Sequence, residues 1–273
     1  MDSFNELKKM TRVIREDIIE MIYQAGSGHP GGSLSATEIV VYLYFHKMNI
    51  DPENPEKPDR DRFILSKGHC NPVLYSALAE KGYFKKEVLW TLRDIDSILQ
   101  GHPDMNKAPG IDMTTGSLGQ GLSHGVGIAL GARINKLDYK VYVMLGDGEL
   151  QEGQNWEAAM SAAHYRLDNL VAIVDNNGIQ CDGITRYVMN VEPIALRFES
   201  FGFDCTVIDA ADFGQIDNAF NGFDYENGKP KCIVMDSVKG KGVSFMEDKV
   251  CWHGGAPKKD EYEKALAEIR GAI

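Results

Sequence analysis

Short runs of apolar and β-branched residues recur along the chain, separated by longer amphipathic stretches. Uninterrupted apolar runs predict strands that are buried on both faces, as in parallel sheets. The predicted strands span residues 63–65, 141–145, 170–174, 206–208 and 232–236. Helical patterns lie between them, so strand and helix alternate from Lys140 to Asp236. This alternation predicts an α/β fold, a doubly wound and mostly parallel sheet with helices on both faces.

The other segments predict helices and surface loops. Ser3 and Glu6 have the spacing of a capping box, which predicts a helix that opens there and runs to about residue 24. A glycine- and proline-rich loop follows to Gly32, and residues 36–45 are apolar nearly all round, as expected of a buried helix. Further helices are predicted at residues 70–81, 118–134, 213–220 and 260–273. Because glycine lowers helix stability, the many glycines of residues 118–134 predict close backbone packing.

The composition is that of an ordinary globular protein, and it narrows the classes of partner. A chain of 273 residues is long enough for one large domain with its own core. The formal net charge of −11 argues against nucleic acid and anionic membranes as partners, but it does not exclude a local anion site. The chain contains no apolar run of membrane-spanning length, no signal-peptide core near its N-terminus and no Cys-x-x-Cys pair. These features predict a cytoplasmic protein without disulfides.

Residues that can hold a metal and a phosphate follow two of the predicted strands. Gly146-Asp147-Gly148 comes directly after one strand, and Asn177 follows the next strand along the chain. Parallel sheets bind their ligands at the carboxyl edge, and the glycines let the backbone approach a ligand there. Mg²⁺ takes about six oxygen ligands, some of them usually from phosphate. We therefore expect Asp147 and Asn177 to hold a divalent metal together with a diphosphate, although either motif alone is also typical of a turn or cap.

The histidines divide into two groups. Four of the seven lie against glycine in predicted loops: His29, His69, His102 and His253. Their spacing does not fit a helical zinc motif. Since an imidazole can donate and accept hydrogen bonds near neutral pH, we interpret the group as surrounding a polyhydroxylated substrate. The histidines in helical patterns are assigned structural roles: His46, His124 and His164.

Two glycine patterns imitate nucleotide-binding motifs. Residues 26–31 match G-x-G-x-x-G, but they follow a predicted helix rather than a strand and include Pro30. Gly125, Gly127 and Gly131 lie inside a helical pattern, and no G-x-x-x-x-G-K-[ST] motif occurs. The sequence therefore argues against a dinucleotide or nucleotide-triphosphate site.

The Gly-Asp-Gly and Asn-Asn pair resembles the thiamine-diphosphate signature, and the residues around it resemble the transketolase family. The resemblance extends along nearly the whole chain. It is carried by residues 27–32 (Ser-Gly-His-Pro-Gly-Gly), 66–69 (Ser-Lys-Gly-His), 101–103 (Gly-His-Pro), 114–121 (Thr-Thr-Gly-Ser-Leu-Gly-Gln-Gly), 146–153 (Gly-Asp-Gly-Glu-Leu-Gln-Glu-Gly), 239–242 (Lys-Gly-Lys-Gly) and 252–257 (Trp-His-Gly-Gly-Ala-Pro). This order of motifs implies a thiamine-diphosphate-binding fold of the diphosphate-binding type over residues 1–273. Ser117 replaces the proline found in many members.

The resemblance also implies roles for individual residues. The loop histidines would be catalytic, with His29 and His253 meeting substrate hydroxyls and assisting proton transfer, His69 near the diphosphate, and His102 at the donor's hydroxyls. The cofactor would be bound by His69, Gly116, Ser117, Leu118, Asp147, Gly148, Asn177, Lys239 and His253, with Lys67 near the diphosphate. The metal, Mg²⁺ or Ca²⁺, would be held by Asp147, Asn177 and the carbonyl of Ile179.

Two acidic residues, Glu152 and Glu157, match carboxylates at the family's subunit interface between paired active sites. The alternative is that they are acids favoured at a helix start by its dipole.

Transketolases normally have two further domains, a pyrimidine-binding domain and a C-terminal domain, which residues 1–273 do not match. The resemblance therefore implies an N-terminal subunit that pairs, in an α2β2 assembly, with a separate C-terminal subunit. The partner would supply the glutamate that meets the aminopyrimidine and the arginines that bind sugar phosphates. The rim of the sheet and the glycine-rich helix of residues 118–134 would form much of the contact.

The resemblance implies transketolase activity, as in the pentose phosphate pathway. With its partner, the chain would transfer a two-carbon glycolaldehyde unit from a ketose phosphate to an aldose phosphate. The alternatives are an alpha-type subunit of a 2-oxo acid dehydrogenase and a non-catalytic cofactor-binding module. The loop histidines, and Trp252-His253-Gly254 in particular, favour transketolase.

Overall fold

Five parallel strands form the central sheet of the structure, a computed structural model that describes the backbone of residues 2–271 and the side chains of residues 4–271. The strands of this sheet are β1 (Arg62–Leu65), β2 (Val141–Gly146), β3 (Leu170–Asn176), β6 (Asp204–Asp209) and β7 (Lys231–Asp236). Two short strands lie outside it: β4 (Ile179–Gln180) and β5 (Gly183–Ile184). The sheet has the order β1-β2-β3-β7-β6, while β4 and β5 form a small antiparallel hairpin. Every pairing within the sheet is parallel, which confirms the predicted sheet.

Helices cover both faces of this sheet. They are α1 (Asp2–Ala25), α2 (Pro30–Ser35), α3 (Thr37–Tyr42), α4 (Asn71–Lys81), α5 (Gly121–Ile134), α6 (Gly153–His164), α7 (Thr185–Val188), α8 (Ile194–Ser200), α9 (Phe213–Gly222) and α10 (Lys259–Gly271). One π-helical turn spans Leu43–Lys47, and 3₁₀ turns span Gly68–Cys70, Lys86–Thr91, Gly148–Gln151 and Val250–Trp252.

The core consists of two apolar layers, one on each face of the sheet. On β2, Tyr142 and Met144 belong to the layer that includes α1, α3, α4, α9 and α10. Val143 and Leu145 belong to the opposite layer, with α5, α6 and α8. Because successive strand residues point to opposite faces, a strand buried on both sides must be apolar throughout. Burial on both faces therefore explains the fully apolar runs in the sequence.

Several helix boundaries differ from the sequence predictions. The predicted loop before Gly32 is helical from Pro30, since proline is well suited to the first turn of a helix. The helix predicted over residues 36–45 becomes a short α-helix followed by a π turn, and α8 was not predicted. The helix predicted from Leu118 begins only at Gly121, because Gly119 has a φ of 87°, which a right-handed helix excludes.

The two ends of the chain agree with prediction as far as they are described. Helix α1 spans Asp2–Ala25, but the predicted capping contact of Ser3 lies outside the described side chains. Helix α10 spans Lys259–Gly271, and the last two residues of the predicted helix lie outside the described residues. Between residues 2 and 271, none of the helices is both long and apolar enough to cross a membrane.

The glycines of α5 serve two different purposes. A Cβ on Gly125 would lie 2.4 Å from Cγ2 of Val143, so this glycine lets the helix pack closely on β2. A Cβ on Gly127 or Gly131 would have no atom within 4 Å beyond the neighbouring backbone of its own helix. The close packing predicted for these glycines is therefore present at Gly125. At Gly127 and Gly131, packing within this chain does not explain why glycine is there.

Replacing these glycines by alanine should have opposite effects on stability. Gly125→Ala should lower the free energy of unfolding by about 1–3 kcal/mol, because the new methyl group overlaps Val143. The matched change Gly127→Ala should raise it by up to ~1 kcal/mol through helix propensity. Urea unfolding of the isolated chain measures both. Equal effects at the two positions would contradict the packing role of Gly125.

Candidate functional site

Four chain segments bring polar side chains to the carboxyl edge of the sheet. Lys67 follows β1, Asp147 follows β2, Asn177 follows β3, and Lys239 follows β7. They border a cavity of about 340 Å³. It is also lined by other predicted site residues: His29, His69, Gly116, Leu118, Gly148, Glu152, Ile179 and His253. The sheet therefore brings together most of the residues singled out in the sequence.

A larger cleft of about 680 Å³ lies elsewhere, along the edge strand β6. Its lining includes Asp204, Cys205 and Lys229 but no histidine, and it is more open to solvent. The cavity at the carboxyl edge has the richer chemistry, and we take it as the candidate site.

Asp147 and Asn177 lie side by side at the floor of the cavity. Both side chains are buried, and Oδ2 of Asp147 accepts a hydrogen bond from the Gly178 amide at 3.0 Å. Burial raises the pKa of Asp147 above its usual value. Asn177 Oδ1 accepts from the amide of Ile179 at 3.2 Å. One carboxylate and one amide oxygen are thus held at the ends of neighbouring strands.

Asp175, which was not predicted from the sequence, is hydrogen-bonded to Asn177 and to the segments around it. Its fully buried carboxylate accepts hydrogen bonds from Lys67 Nζ, from Ser35 Oγ at 2.6 Å and from Ser237 Oγ. It also accepts from Asn177 Nδ2 at 3.0 Å, which turns Oδ1 of that amide the other way. The signal in the sequence is the acidic residue that ends β3, two positions before Asn177.

The ion pair of Asp175 with Lys67 keeps both groups charged despite their burial. Burial alone would raise the pKa of Asp175, but the Lys67 ammonium and the hydroxyl donors outweigh it and hold the pKa below its usual value. Burial likewise opposes the charge of Lys67, and the attraction of Asp175 raises the pKa of the ammonium instead. Lys67 also donates to the carbonyl of Gly32 at 2.9 Å, so it links β1, α2 and β3.

Glu149 is a second buried carboxylate that was not predicted. It accepts hydrogen bonds from Ser66 Oγ, from the Gly119 amide at 2.9 Å and from the Gly146 amide at 3.0 Å. Burial raises its pKa. Because these donors come from the residue after β1, the end of β2 and the turn before α5, Glu149 holds the loop that places Gly116 and Leu118 at the cavity.

Three loop histidines form a cluster over the cavity. The ring centroids of His29 and His69 are 5.1 Å apart, those of His69 and His253 5.2 Å, and those of His29 and His253 5.6 Å. Burial, together with neighbouring positive charge, lowers the pKa of His29 and His69 to about 4 and that of His253 to about 3. All three rings are therefore neutral at physiological pH.

His102 lies at the edge of this cluster. Its ring carbons are 3.0 Å from the position that a Cβ on Gly116 would occupy, and the φ of 143° at Gly116 favours glycine there. The side chain is exposed and does not line the cavity. Burial of part of the ring and the charge of neighbouring groups lower its pKa.

Lys239 is a buried cation that has no anionic partner within residues 4–271. Its side chain is 3% exposed, and among residues 4–271 it has no carboxylate within 4.0 Å. Nζ donates to the carbonyl oxygen of Ile179 at 2.6 Å and lies 3.0 Å from Nδ1 of His253. Burial lowers its pKa. Since an unpaired buried charge is costly, Lys239 indicates an anionic ligand in the cavity.

The remaining predicted residues lie outside the cavity. Ser117 is exposed and does not line it, and Glu157 is exposed on α6. The three other histidines are on the π turn (His46), on α5 (His124) and at the end of α6 (His164), away from the site. The G-x-G-x-x-G pattern connects α1 to α2 and does not follow a strand, which agrees with its rejection as a dinucleotide fingerprint.

These features define an α/β domain with a ligand site at the carboxyl edge of its sheet, built from neutral imidazoles, one unpaired ammonium and an Asp–Asn pair. Residues 6–271 match the family model described as transketolase, thiamine diphosphate binding domain. The chain therefore belongs to the transketolase family.

Similar proteins of nearly the same length are named as subunits. The chain is 45% identical to one subunit of an apulose-4-phosphate transketolase from Phocaeicola vulgatus, covering 95% of this chain and 92% of that protein. It is also 45% identical to the 6-deoxy-6-sulfo-D-fructose transketolase subunit SqwG of a Clostridium species, covering 97% and 96%. The solved structure of transketolase from Campylobacter jejuni superposes with a TM-score of 0.91 at 31% identity. The superposition covers 97% of this chain and 42% of the Campylobacter jejuni chain.

The histidine cluster should remain neutral well below neutral pH. We expect the rings of His29, His69 and His253 to show no protonation down to pH 6, whereas histidine in an unfolded chain titrates near 6.5. Long-range ¹H–¹⁵N NMR of the imidazoles measures this directly. Titration of these rings near pH 6.5 would contradict the burial argument.

The same shifts make folding stability depend on pH. At these three histidines the unfolded chain binds more protons than the folded chain between pH 6.5 and about 4, so their contribution to stability should fall as the pH is lowered through that range. His69→Gln should reduce this slope, as measured by urea unfolding at a series of pH values.

Proposed function

We propose that this chain is the N-terminal, thiamine-diphosphate-binding subunit of a split transketolase that is active only with a separate C-terminal subunit. The observation that carries the proposal is that relatives matched along nearly their whole length are named as transketolase subunits. The chain matches nearly all of two relatives named as subunits but 42% of the transketolase from Campylobacter jejuni. It nevertheless carries the Asp–Asn pair and the loop histidines.

The cavity suits the diphosphate end of thiamine diphosphate. The unpaired ammonium of Lys239 would meet its negative charge, and the Gly148 amide would donate a hydrogen bond to it. Gly116, Ser117 and Leu118 would pack along the cofactor, with His69 on its diphosphate side. When bound, the thiazolium supplies an electron sink for cleaving the bond next to a carbonyl.

A divalent metal would join the diphosphate to the protein. Its ligands would be Asp147, the side-chain oxygen of Asn177 and the carbonyl of Ile179, an oxygen-only set that suits Mg²⁺ or Ca²⁺. Among the described residues, no three His, Cys, Asp or Glu side chains are placed to hold a metal by themselves. Oxygens of the diphosphate, with water, would complete the shell.

The histidines would handle the hydroxyls of a sugar substrate. Both rings, His29 and His253, are neutral. His29 can therefore accept a proton at one ring nitrogen while donating from the other, whereas His253 can donate from the nitrogen that Lys239 does not contact. Contact of Lys239 Nζ with Nδ1 of His253 favours the tautomer with the proton on Nε2. His102, at the rim, would bind hydroxyls of the donor. Together these groups fit transfer of a two-carbon unit from a ketose phosphate to an aldose phosphate.

The partner subunit would cover the exposed apolar surface next to the site. On α5, Gly127 and Gly131 face open space and Ile134 is 78% exposed. Met160 on the neighbouring α6 is 58% exposed. Glycine in an exposed helix position is costly unless another chain packs there. Glu152 and Glu157 are exposed and would lie at the contact between paired active sites in an α2β2 assembly, which we place in the cytoplasm.

The activity test compares the chain alone with the chain plus its C-terminal partner. Alone, the chain should transfer no detectable glycolaldehyde unit from xylulose 5-phosphate to an aldose phosphate, because the glutamate for the aminopyrimidine is on the other subunit. The mixture should be active, as measured by product formation. Full activity of the isolated chain would refute the proposal, turnover of pyruvate would favour a 2-oxo acid dehydrogenase subunit, and inactivity of every mixture would favour a binding module.

The metal site can be tested by one substitution. In the assembled complex, Asp147→Ala should weaken Mg²⁺-dependent binding of thiamine diphosphate by more than about 100-fold, because the only carboxylate ligand is lost. The matched control Asp182→Ala removes the same charge from an exposed position of the nearby hairpin and should have little effect. Calorimetry measures both. Unchanged affinity of Asp147→Ala would place the metal elsewhere.

A further inference from the structure

The ammonium of Lys239 occupies a position that anion binding alone does not explain. Its hydrogen bond, at 2.6 Å, goes to the carbonyl oxygen of Ile179, the backbone oxygen proposed above as a metal ligand. Its other polar contact is with Nδ1 of His253 at 3.0 Å. A metal bound as proposed would therefore share the Ile179 oxygen with a positively charged side chain.

The stem of Lys239 is packed tightly, so the charge has little freedom to move away. A Cβ on Gly31 would lie 3.0 Å from Cγ and 3.2 Å from Cε of Lys239. The same position would be 2.7 Å from the carbonyl oxygen of Trp252, which closes the other side. The Gly240 amide donates to the Gly31 carbonyl at 3.0 Å and ties the two segments together. Only glycine at position 31 leaves room for this path.

Two cations on one oxygen repel each other strongly. A divalent ion lies about 2.0–2.6 Å from an oxygen ligand, which would bring it to roughly 4 Å from the ammonium. At that separation the repulsion is large even at a surface-like effective dielectric constant of about 20. A diphosphate between the two cations would neutralise both. The repulsion therefore weakens binding of the metal by itself, and it is offset only when the diphosphate binds as well.

We propose that Lys239 makes divalent-cation binding conditional on the diphosphate. This inference rests on the proposed function, since it takes Asp147, Asn177 and the Ile179 carbonyl as the metal site. Lys239 disfavours the bare metal and favours the anion, so the two bind as a unit. By linkage, the factor by which diphosphate strengthens metal binding equals the factor by which metal strengthens diphosphate binding. Lys239 sets much of that factor.

The test uses the full-length chain with Mn²⁺ and inorganic pyrophosphate as probes. Removing the charge in Lys239→Met, which keeps the length of the side chain, should tighten binding of Mn²⁺ alone by at least about tenfold. Pyrophosphate should then strengthen Mn²⁺ binding by a factor at least about tenfold smaller than in the wild type. Free Mn²⁺ is measured by electron paramagnetic resonance and pyrophosphate binding by calorimetry.

Two controls separate the charge effect from a general disturbance. Lys241→Met makes the same chemical change two residues away, on a side chain that contacts none of the proposed ligands, and should behave as wild type. Lys239→Gln should repeat the effect of Lys239→Met, which keeps the test valid if one variant folds poorly by circular dichroism. The inference is overturned if Mn²⁺ alone binds no more tightly to the Lys239 variants, or if the pyrophosphate factor is unchanged.

A third variant separates failure of this inference from failure of the metal site. Asp147→Ala should remove Mn²⁺ binding in both the wild-type and the Lys239→Met background. If Asp147→Ala removes it but Lys239→Met does not strengthen it, the site is correct and the role of Lys239 is wrong. If Mn²⁺ binds equally well without Asp147, the proposed metal site is itself wrong and the inference falls with it.

Discussion

The site depends on one buried carboxylate at the end of the central strand. Asp175 has no exposure to solvent and accepts hydrogen bonds from side chains of four other positions: Ser35, Lys67, Asn177 and Ser237. A buried charge is tolerated only when it is paired and hydrogen-bonded, so these positions must stay where they are. Through them, Asp175 joins α2 and the ends of β1, β3 and β7. The orientation of Asn177 follows from this network.

The two buried lysines at the cavity differ in whether a carboxylate neutralises them. Lys67 is neutralised by Asp175 and acts as a structural cation, whereas Lys239 has no carboxylate partner among the described residues. Asp147 has an elevated pKa because its surroundings are poorly solvated. The three imidazoles are neutral for the same reason. The cavity thus presents the Lys239 ammonium, which has no carboxylate partner within residues 4–271, together with neutral imidazoles and the Asp147 carboxylate. This combination suits an anionic cofactor with its metal and a hydroxylated substrate.

Much of the fold and most of the site could be predicted from the sequence. The apolar runs predict the strands because a strand covered on both faces must be apolar at every position. Asp147 and Asn177 could be placed together because parallel strands end at one edge. The roles of Asp175 and Glu149 were missed, since an acidic residue beside a glycine or an asparagine in sequence looks the same whether it is buried or solvated. The start of α5 was misplaced because the pattern does not reveal the left-handed φ of Gly119.

By itself, the sequence determined the succession of strands and helices along the chain, the sheet edge at which Asp147 and Asn177 lie, and the family to which the chain belongs. Local patterns carry this information because apolar periodicity and turn residues act over a few positions. Only the tertiary structure decided that His29, His69 and His253 touch one another, that Lys67 is paired and that Lys239 is not. These are contacts between residues far apart in the chain. Whether a charged group is neutralised or left free depends on distances and burial that no linear pattern encodes.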